Sequence, residues 1–435
     1  DLKKWYEMLD KVAFELDDGL TKKELIVLLL NKIIFIKTLE DYGLVNFRHL
    51  LDEYDRNKER WNTKGSIRVL EHFFKEIEEF FYAYYNTELF EVPFWKYVVK
   101  TDKNAQLLLS TFEQVLGTDN WARTLSQGMV HYNYRQIDED IFGKAYETFI
   151  AEEKKDEGIY YTPKSITAYM AKKLVAQLFG GLTNDAIAAL DKDNLNIEEA
   201  RRTMHKIESI KIIDPTSGSG SFLIKVLREI YAQYQRIIEE TDWVKPLEKE
   251  LFSANAPANF KLTIAFREEF LLRPNQRIQH ISRIILLHIH AIDKDERALD
   301  TAKANMWKEA IKLHYKVYNY RKLKEISHIL PNLGLNFVAG DSLAEIPFEA
   351  QMETLATFKT ELAELHRFRE AYLNDPFNPE LVHPAIELKR KLHAALEVAH
   401  PEPKHQLFFC LEFFHVFFAN DGAPLDKAKL GFDGA

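Results

Sequence analysis

The spacing of apolar residues divides the chain into three parts. Up to about residue 135, apolar positions recur at the three- and four-residue intervals typical of helices that bury one face. Two such series are Leu25, Leu28, Leu29, Ile33 and Ile36, followed by Phe73, Ile77, Phe80 and Phe81. We therefore predict an all-helical region over residues 1–135.

Short apolar runs alternate with amphipathic segments from about residue 209. Ile210–Ile213, Leu286–Ile292 and Leu335–Ala339 are predicted strands, and segments with helical spacing separate them. Strands separated by helices predict parallel βαβ units and an α/β fold. We place this core at residues 136–345, with an insertion at about residues 239–284.

Helical spacing returns from residue 346 onwards. The segment 346–435 is predicted to be a helical insertion that leads to the start of a fourth strand near Leu430–Ala435. Because the chain begins without methionine and stops inside this strand pattern, we expect a fragment of a longer protein. Loss of the rest of that strand would leave the first strand with an open edge.

The composition of the chain argues against several classes of protein. The chain has 435 residues, of which 46% are hydrophobic and 29% charged, with a net charge of −9. This charge argues against a bulk nucleic-acid binder. The single cysteine excludes an intramolecular disulfide and a multi-thiolate zinc site, and we predict no metal. The longest apolar run, Leu407–Phe418, is shorter than the roughly 20 residues that span a bilayer. We expect a cytoplasmic protein.

An acidic residue follows each predicted strand. Asp214, Asp293 and Asp341 take these positions. Because ligands of parallel α/β sheets bind at the carboxyl ends of the strands, the three carboxylates predict one binding site.

A glycine-rich turn follows the first strand. The sequence Asp214-Pro-Thr-Ser-Gly-Ser-Gly-Ser-Phe-Leu223 allows a ligand to approach the backbone and presents a helix N-terminus to it. A dinucleotide fingerprint would need a third glycine where Leu223 stands, and a phosphate-binding loop of nucleoside triphosphatases would need lysine where Ser221 stands. A nicotinamide-dependent oxidoreductase therefore remains only an alternative.

These segments resemble the motifs of S-adenosylmethionine-dependent DNA methyltransferases that modify the amino group of adenine. The resemblance is to large restriction–modification enzymes and starts in the helical region. It includes Gly158–Pro163, Asp214–Leu223, Ala291–Asp295 and Gly340–Leu343, in the family's order. It implies a Rossmann-like methyltransferase core that transfers a methyl group from S-adenosylmethionine to adenine in DNA.

The resemblance assigns ten positions to the cofactor. They are Tyr161, Thr162, Pro163, Asp214, Thr216, Gly218, Gly220, Phe222, Asp293 and Asp341. It implies that Asp214 binds the amino group of the methionine part. It further implies that Asp293 accepts hydrogen bonds from both ribose hydroxyls and that Asp341 accepts one from the adenine amino group.

The remaining positions would shape the pocket. By the same resemblance, Thr162 and its two neighbours face the methionine part, and Gly218 and Gly220 let that part approach the backbone. Thr216 and Phe222 would line the pocket.

The sequence departs from the family pattern in two ways. Asp293 lies much further from Asp214 than the roughly 20 residues of a compact nucleotide fold. The catalytic tetrapeptide Asn/Asp-Pro-Pro-Tyr/Phe does not occur in residues 1–435, and its nearest counterpart, Asn374–Phe377, lacks the second proline. We therefore assign no catalytic residue and expect the fragment to be inactive alone.

The predicted function is part of a DNA adenine methyltransferase. Its partner would be duplex DNA with a flipped adenine, and restriction or specificity modules would lie outside this chain. A non-enzymatic alternative is an adaptor or DNA-binding subunit that keeps a degenerate methyltransferase fold.

Overall fold

A computed structural model describes most of the chain. The described residues are 1–17, 20–46, 48–85, 88–118, 128–137, 162–244, 257–271, 277–314, 331–343, 347–376, 378–401, 407–426 and 429–434. The chain divides into two compact units, the first of residues 1–161 and 300–331 and the second of residues 162–299 and 332–435. The division predicted from the sequence, into residues 1–135, 136–345 and 346–435, stays a prediction.

The first unit is helical in its described part, as the apolar spacing predicts. Its helices are α1 (Leu2–Leu9), α2 (Lys22–Asp41), α3 (His49–Trp61), α4 (Ser66–Tyr85) and α5 (Asp102–Leu116). Helix α2 starts with a capping box, in which the Thr21 side chain accepts from the Glu24 amide and the Glu24 carboxylate accepts from the Thr21 amide. The helix is apolar over most of its circumference and is buried on nearly all sides.

A buried ion pair joins α2 to α4. The Lys32 ammonium donates to the Glu78 carboxylate, which also accepts a 3.0 Å hydrogen bond from the Phe94 amide. Burial lowers the pKa of Lys32, while the Glu78 charge opposes this shift. Removal of one partner would leave an uncompensated buried charge, so both side chains belong to the structural core of this unit.

In its described part, the second unit contains a parallel sheet, nine further α-helices and the first turn of a tenth. The strands are β1 (Ile212–Asp214), β2 (Ile289–Asp293) and β3 (Phe337–Ala339), in the order β1-β2-β3. The helices are α6 (Lys164–Ala189), α7 (Ile197–Ser209), α8 (Ser221–Glu240), α9 (Ala258–Phe266), α10 (Arg277–His288), α11 (Glu296–His314), α12 (Phe348–Leu355), α13 (Lys359–Asn374), α14 (Pro379–Ala399) and α15 (Phe409–Glu412). The boundary between the two units passes through α11.

Packing on the sheet explains why such short strands form. Ile212, Ile289 and Ile292 are fully buried, and α8 lays an apolar face that includes Leu223 and Leu227 against the interior. Helix α6 packs against both α7 and α8. This burial supplies the main stabilising free energy of the unit, at roughly 1.5–3 kcal/mol for each fully buried large apolar side chain.

The segment before Ala435 lies against the free side of β1. The Ile213 amide donates to the Gly434 carbonyl at 2.9 Å, and Ile212 and Gly434 form a parallel bridge. The predicted start of a fourth strand is therefore present as an isolated bridge beside β1.

Several element bounds predicted from the sequence were wrong. Residues 286–288 belong to α10, so β2 begins only at Ile289. Thr162 stands before Pro163 where the sequence favours a helix cap, but the N-cap of α6 is Pro163, without a side-chain cap bond.

The insertion predicted at residues 239–284 is largely helical where it is described, since α8 ends at Glu240 and is followed by α9 and α10. The sequence also favours a helix at residues 137–150, almost all of which lie outside the described residues. Among the described residues, no helix is both long and apolar enough to cross a bilayer.

Candidate cofactor-binding site

The carboxyl ends of the three strands form a stepped edge. In the pairing of the strands, Asp214 of β1 is level with Ala291 of β2, whereas Asp293 is level with Ala339 of β3. Asp293 therefore lies two residues, or about 6.6 Å along the strand, beyond Asp214. Asp341 follows β3 by two residues, and the three acids occur in the order in which the strands pair.

The glycine-rich turn folds back over the end of β2. The Ser217 amide donates to the Ile292 carbonyl at 2.9 Å, and the Gly218 amide donates to Oδ2 of Asp293 at 2.8 Å. Gly218 and Gly220 adopt left-handed φ angles of 52° and 79°, which glycine takes without the strain of a side chain. Helix α8 starts directly after this turn and directs its first amides toward the same edge.

Open space lies beside the turn. Apart from Gly218 itself and its two chain neighbours, no atom of the described residues lies within 4 Å of the position that a Cβ would occupy on Gly218. The Oγ of Ser217 is buried and, within the described ranges, has no hydrogen-bond partner. An unpartnered buried hydroxyl beside open space is the environment that a polar ligand would complete.

Both carboxylate oxygens of Asp293 are engaged by backbone amides. Oδ2 accepts from Gly218, and Oδ1 accepts from the Asp295 amide at 2.8 Å. Asp295 in turn forms a two-pronged ion pair with Arg297, with N···O distances of 2.7 and 3.1 Å. Since each carboxylate oxygen can accept two hydrogen bonds, Asp293 is held in a fixed orientation and retains capacity for ligand hydroxyls.

Asp214 is half-buried and has one oxygen available. Oδ1 accepts a 3.1 Å hydrogen bond from the Thr216 amide, while Oδ2 has no partner in the described part of the chain. Burial raises the pKa of Asp214 to about 6; the Thr216 hydrogen bond opposes this shift, and the negative charge of Asp293 adds to it. A cationic group near Oδ2 would favour the ionised form and stabilise the pair.

Asp341 is exposed but close to the same edge. Its Oδ1 accepts from the Leu343 amide at 3.0 Å, and the preceding residue, Gly340, donates its amide to the Asp293 carbonyl at 2.9 Å. The end of β3 is thus tied to the end of β2.

The structure brings most of the predicted site residues together. Six of them lie in one hydrogen-bonded turn and strand end: Asp214, Thr216, Gly218, Gly220, Phe222 and Asp293. Thr216 is exposed and Phe222 is half-buried in the first turn of α8. Asp341 joins this group through the backbone.

Two predicted residues show no link to this group within the described ranges, and a third lies outside those ranges. Thr162 and Pro163 are exposed at the start of α6, and no hydrogen bond in the described ranges ties them to the strand ends. Tyr161 lies outside the described residues. The ligand contacts assigned to all ten residues stay predictions.

Sequence reasoning did not assign two residues that the structure places in the site. Asp295 orients Asp293, and Ser217 presents the unpartnered hydroxyl. The Asp-Lys-Asp spacing after β2 was a usable signal for Asp295, because an aspartate often accepts from the amide two residues later. Nothing in the sequence distinguishes Ser217 from the other serines of the turn.

The site offers acceptors and donors for a polar ligand. They are an unpartnered carboxylate oxygen at Asp214, the amides of the first turn of α8, an open space at Gly218 and a fixed carboxylate at Asp293. Among the described residues, no group of three or more histidine, cysteine or acidic side chains could hold a metal ion.

Comparison with known proteins gives a family match that includes the glycine-rich turn. Residues 137–244, which include the glycine-rich turn, match the family model described as N-6 DNA Methylase. A relative described as a type II restriction enzyme and methyltransferase, from Methanocaldococcus jannaschii, is 25% identical over 367 residues, which are 74% of this chain. The chain spans only 28% of the length of that relative.

One solved structure that this chain matches is that of the type IIL restriction–modification enzyme MmeI in complex with DNA. It shares 16% identity with this chain, covers 80% of this chain and 40% of its own, and superimposes with a TM-score of 0.44. A superposition at this level carries no argument about function.

The chain thus carries an N-6 DNA methylase domain. Its relative by sequence is a restriction–modification protein, so the resemblance to adenine-specific methyltransferases of restriction–modification systems is confirmed. Neither comparison supports the nicotinamide-dependent oxidoreductase, which we no longer consider.

Proposed function

We propose that the full-length protein transfers a methyl group from S-adenosylmethionine to the N6 amino group of adenine in DNA, as the modification activity of a restriction–modification enzyme. The observation that carries this proposal is the edge formed by Asp214, Gly218 and Asp293. Asp214 and Gly218 lie within the residues that match the N-6 DNA methylase family, and the Gly218 amide is hydrogen-bonded to Asp293. The expected place of action is the cytoplasm.

We interpret the α/β unit as a Rossmann-like methyltransferase core. Support comes from three parallel strands with helices between them, a glycine turn after β1 and an acid after β2. In such sheets the ligand lies across the carboxyl ends of the strands.

The bound cofactor would supply a methyl group on a positively charged sulfur, which is an electrophile. The residues of this chain would hold and orient it. Asp214 would accept from the methionine amino group through its free Oδ2, and Asp293 would accept from the ribose hydroxyls. Asp341 would accept from the adenine amino group, and its exposure leaves room for a base beside it.

The pocket walls would come from the remaining predicted residues. Thr216 and Phe222 would line the methionine end, and Gly218 and Gly220 would permit its close approach. Thr162, with Tyr161 and Pro163, would face the same end from the start of α6. The open space at Gly218 supports this placement.

The DNA partner would present its adenine outside the stack, because an exocyclic amine inside a duplex cannot reach the methyl group. The amine is a weak nucleophile, so catalysis depends on its orientation toward the sulfonium methyl. The residues that would orient it do not occur in 1–435 as the family's tetrapeptide. The proposal of methyl transfer therefore concerns the full-length protein, together with any restriction or specificity modules.

Cofactor binding and methyl transfer are tested separately. Calorimetric titration with S-adenosylhomocysteine should show binding to the wild type and a loss in D214A, whereas D426N, a change at an exposed carboxylate, should bind as the wild type does. Titration with NAD should show none. The full-length protein should then incorporate labelled methyl groups at N6 of adenine in duplex DNA.

The two results also distinguish an active methyltransferase from the adaptor alternative. Cofactor binding without transfer by the full-length protein would favour a degenerate methyltransferase fold. Absence of cofactor binding would contradict the proposed site itself.

A further inference from the structure

The segment Gly431–Gly434 is held on β1 by a side chain as well as by backbone bonds. The Lys211 amide donates to Oδ2 of Asp433 at 2.8 Å, and the Asp433 amide donates back to the Lys211 carbonyl at 2.8 Å. The Ile213 amide donates to the Gly434 carbonyl at 2.9 Å. A shift of one residue along β1 would break the side-chain bond and reverse the faces of Phe432 and Asp433.

Phe432 anchors the segment on the neighbouring side. Its ring packs edge-on against His290 of β2 and against Phe413, with centroid distances of 5.1 and 5.3 Å. His290 is itself held by the Ile212 carbonyl at 3.3 Å and by His415 at 3.0 Å. The aromatic contact fixes where the segment lies, and the Asp433 bond fixes its register.

Asp433 also faces a cation that has no carboxylate within 4 Å in the described part of the chain. The Lys211 ammonium donates to the Glu208 carbonyl at 2.6 Å. Burial lowers the pKa of Lys211 to about 7, the charge of Arg369 adds to this shift, and the Asp433 charge opposes it. The charge of Asp433 thus offsets only part of the effect of burial on Lys211, and the direct contact of Asp433 with β1 is its hydrogen bond to the Lys211 amide.

The direction of the segment leads to the cofactor edge. Because the segment runs parallel to β1, it is directed at Gly434 toward the end of β1 at Asp214, on the side of β1 opposite to β2. Side chains delivered there would stand next to the proposed methionine end of the cofactor.

We infer that Asp433 is a positioning residue for methyl transfer: its bond to the Lys211 amide sets the register of the segment Gly431–Gly434 on β1 and so places the residues that reach the edge beside Asp214. The inference rests on the proposed function. Asp433 itself does not touch the reacting atoms.

The test uses four variants of the full-length protein. D433A removes the acceptor, D433N keeps an acceptor oxygen at the same reach without the charge, and D433E keeps the charge on a side chain one methylene longer. D426N is the matched change at an exposed carboxylate elsewhere on the surface. Thermal unfolding verifies that each variant folds.

The first measurement is hydrogen exchange at the amides of residues 210–214. D433A and D433E should exchange at least about tenfold faster there than the wild type, and D433N and D426N should not. Unchanged exchange in D433A would overturn the inference. This measurement does not depend on methyl transfer. It therefore tests whether Asp433 fixes the register of Gly431–Gly434 on β1 even if the wild type shows no methyl transfer and the proposed function fails.

The second measurement is the turnover number for methyl transfer beside the affinity for S-adenosylhomocysteine. D433A and D433E should lower kcat by at least about tenfold, because a displacement of about 1 Å can cost up to a hundredfold in rate, while cofactor affinity changes less than about twofold. D433N should retain the wild-type kcat. An active D433E with an inactive D433N would mean that charge rather than register matters, and an equal loss of kcat and cofactor affinity would mean a merely structural role. Either result overturns the inference.

Discussion

The Gly218 amide and the Asp293 carboxylate are joined by a 2.8 Å hydrogen bond although they lie 75 residues apart in the sequence. The bond connects the turn after β1 with the end of β2. It makes the conformation of the glycine-rich turn depend on an acid at the end of the neighbouring strand. A substitution at either residue should therefore disturb both the glycine-rich turn and the end of β2.

Replacement of Asp293 by alanine should weaken S-adenosylhomocysteine binding by about 10- to 100-fold, because a hydrogen bond to a charged group contributes roughly 1.5–3 kcal/mol. D293N retains one carbonyl oxygen and should lose less. Calorimetric titration of both variants measures the effect. Equal affinity of D293A and the wild type would show that this carboxylate holds the turn only and has no ligand role.

Gly218→Ala should destabilise the fold by about 1–2 kcal/mol, since an alanine at a φ of 52° is strained even where space is available. Its loss of cofactor affinity should exceed what this strain alone explains, because the new methyl group enters the proposed ligand space. Chemical unfolding and calorimetry measure the two effects.

Gly181→Ala is the matched control for that change. Gly181 lies inside α6, with no atom of the described residues within 4 Å of an added Cβ and without a positive φ. Alanine should stabilise the helix there by up to about 1 kcal/mol and leave cofactor affinity unchanged. A loss of affinity in both variants would point to a general effect of the added methyl groups rather than to a ligand at Gly218.

Cofactor affinity should fall as the pH drops below about 6. The pKa of Asp214 is raised from 3.8 to about 6, so in the free protein this carboxyl group takes up a proton as the pH falls through about 6, and a protonated carboxyl cannot form an ion pair with an ammonium group. The affinity should decrease by up to tenfold per pH unit below 6. Calorimetry between pH 5 and 8 measures this slope, and D214N should abolish it. An identical slope in D214N would assign the effect to another group.

Acid should destabilise the sheet through His288. This side chain bonds the Ile210 carbonyl at 2.8 Å and the Tyr234 hydroxyl at 2.9 Å, and burial lowers its pKa to about 3. Since the unfolded chain takes up this proton near pH 6.5, the fold loses about 1.4 kcal/mol per pH unit from about pH 6.5 down toward 3.

Chemical unfolding at several pH values checks this prediction. H288Q should be less stable than the wild type at pH 7 and should lose less stability on acidification. H383Q, at an exposed position of α14, should keep the wild-type slope. An unchanged slope in H288Q would mean that other buried histidines account for the acid sensitivity.

The three acids and the glycine turn could be predicted because each follows directly from an apolar run that ends at the edge of a parallel sheet. The start of β2 could not. The apolar run Ile284–Leu287 is compatible with a helix and with a strand. Only its packing in the folded protein makes it part of the last turn of α10. The bond between Gly218 and Asp293 and the register set by Asp433 join distant parts of the chain, and such contacts leave no local pattern.

Because Asp214 and Asp293 lie at different heights along the strand direction, a ligand that contacts both would lie obliquely across the edge of the sheet. An extended nucleoside that met all three acids would have one end sunk between β1 and the first turn of α8 and the other raised beside the exposed Asp341. Solvent would reach its base before its amino acid part. A spent cofactor would then be expected to loosen from the base end first, and larger groups attached to that base should be tolerated better than any added at the sulfur.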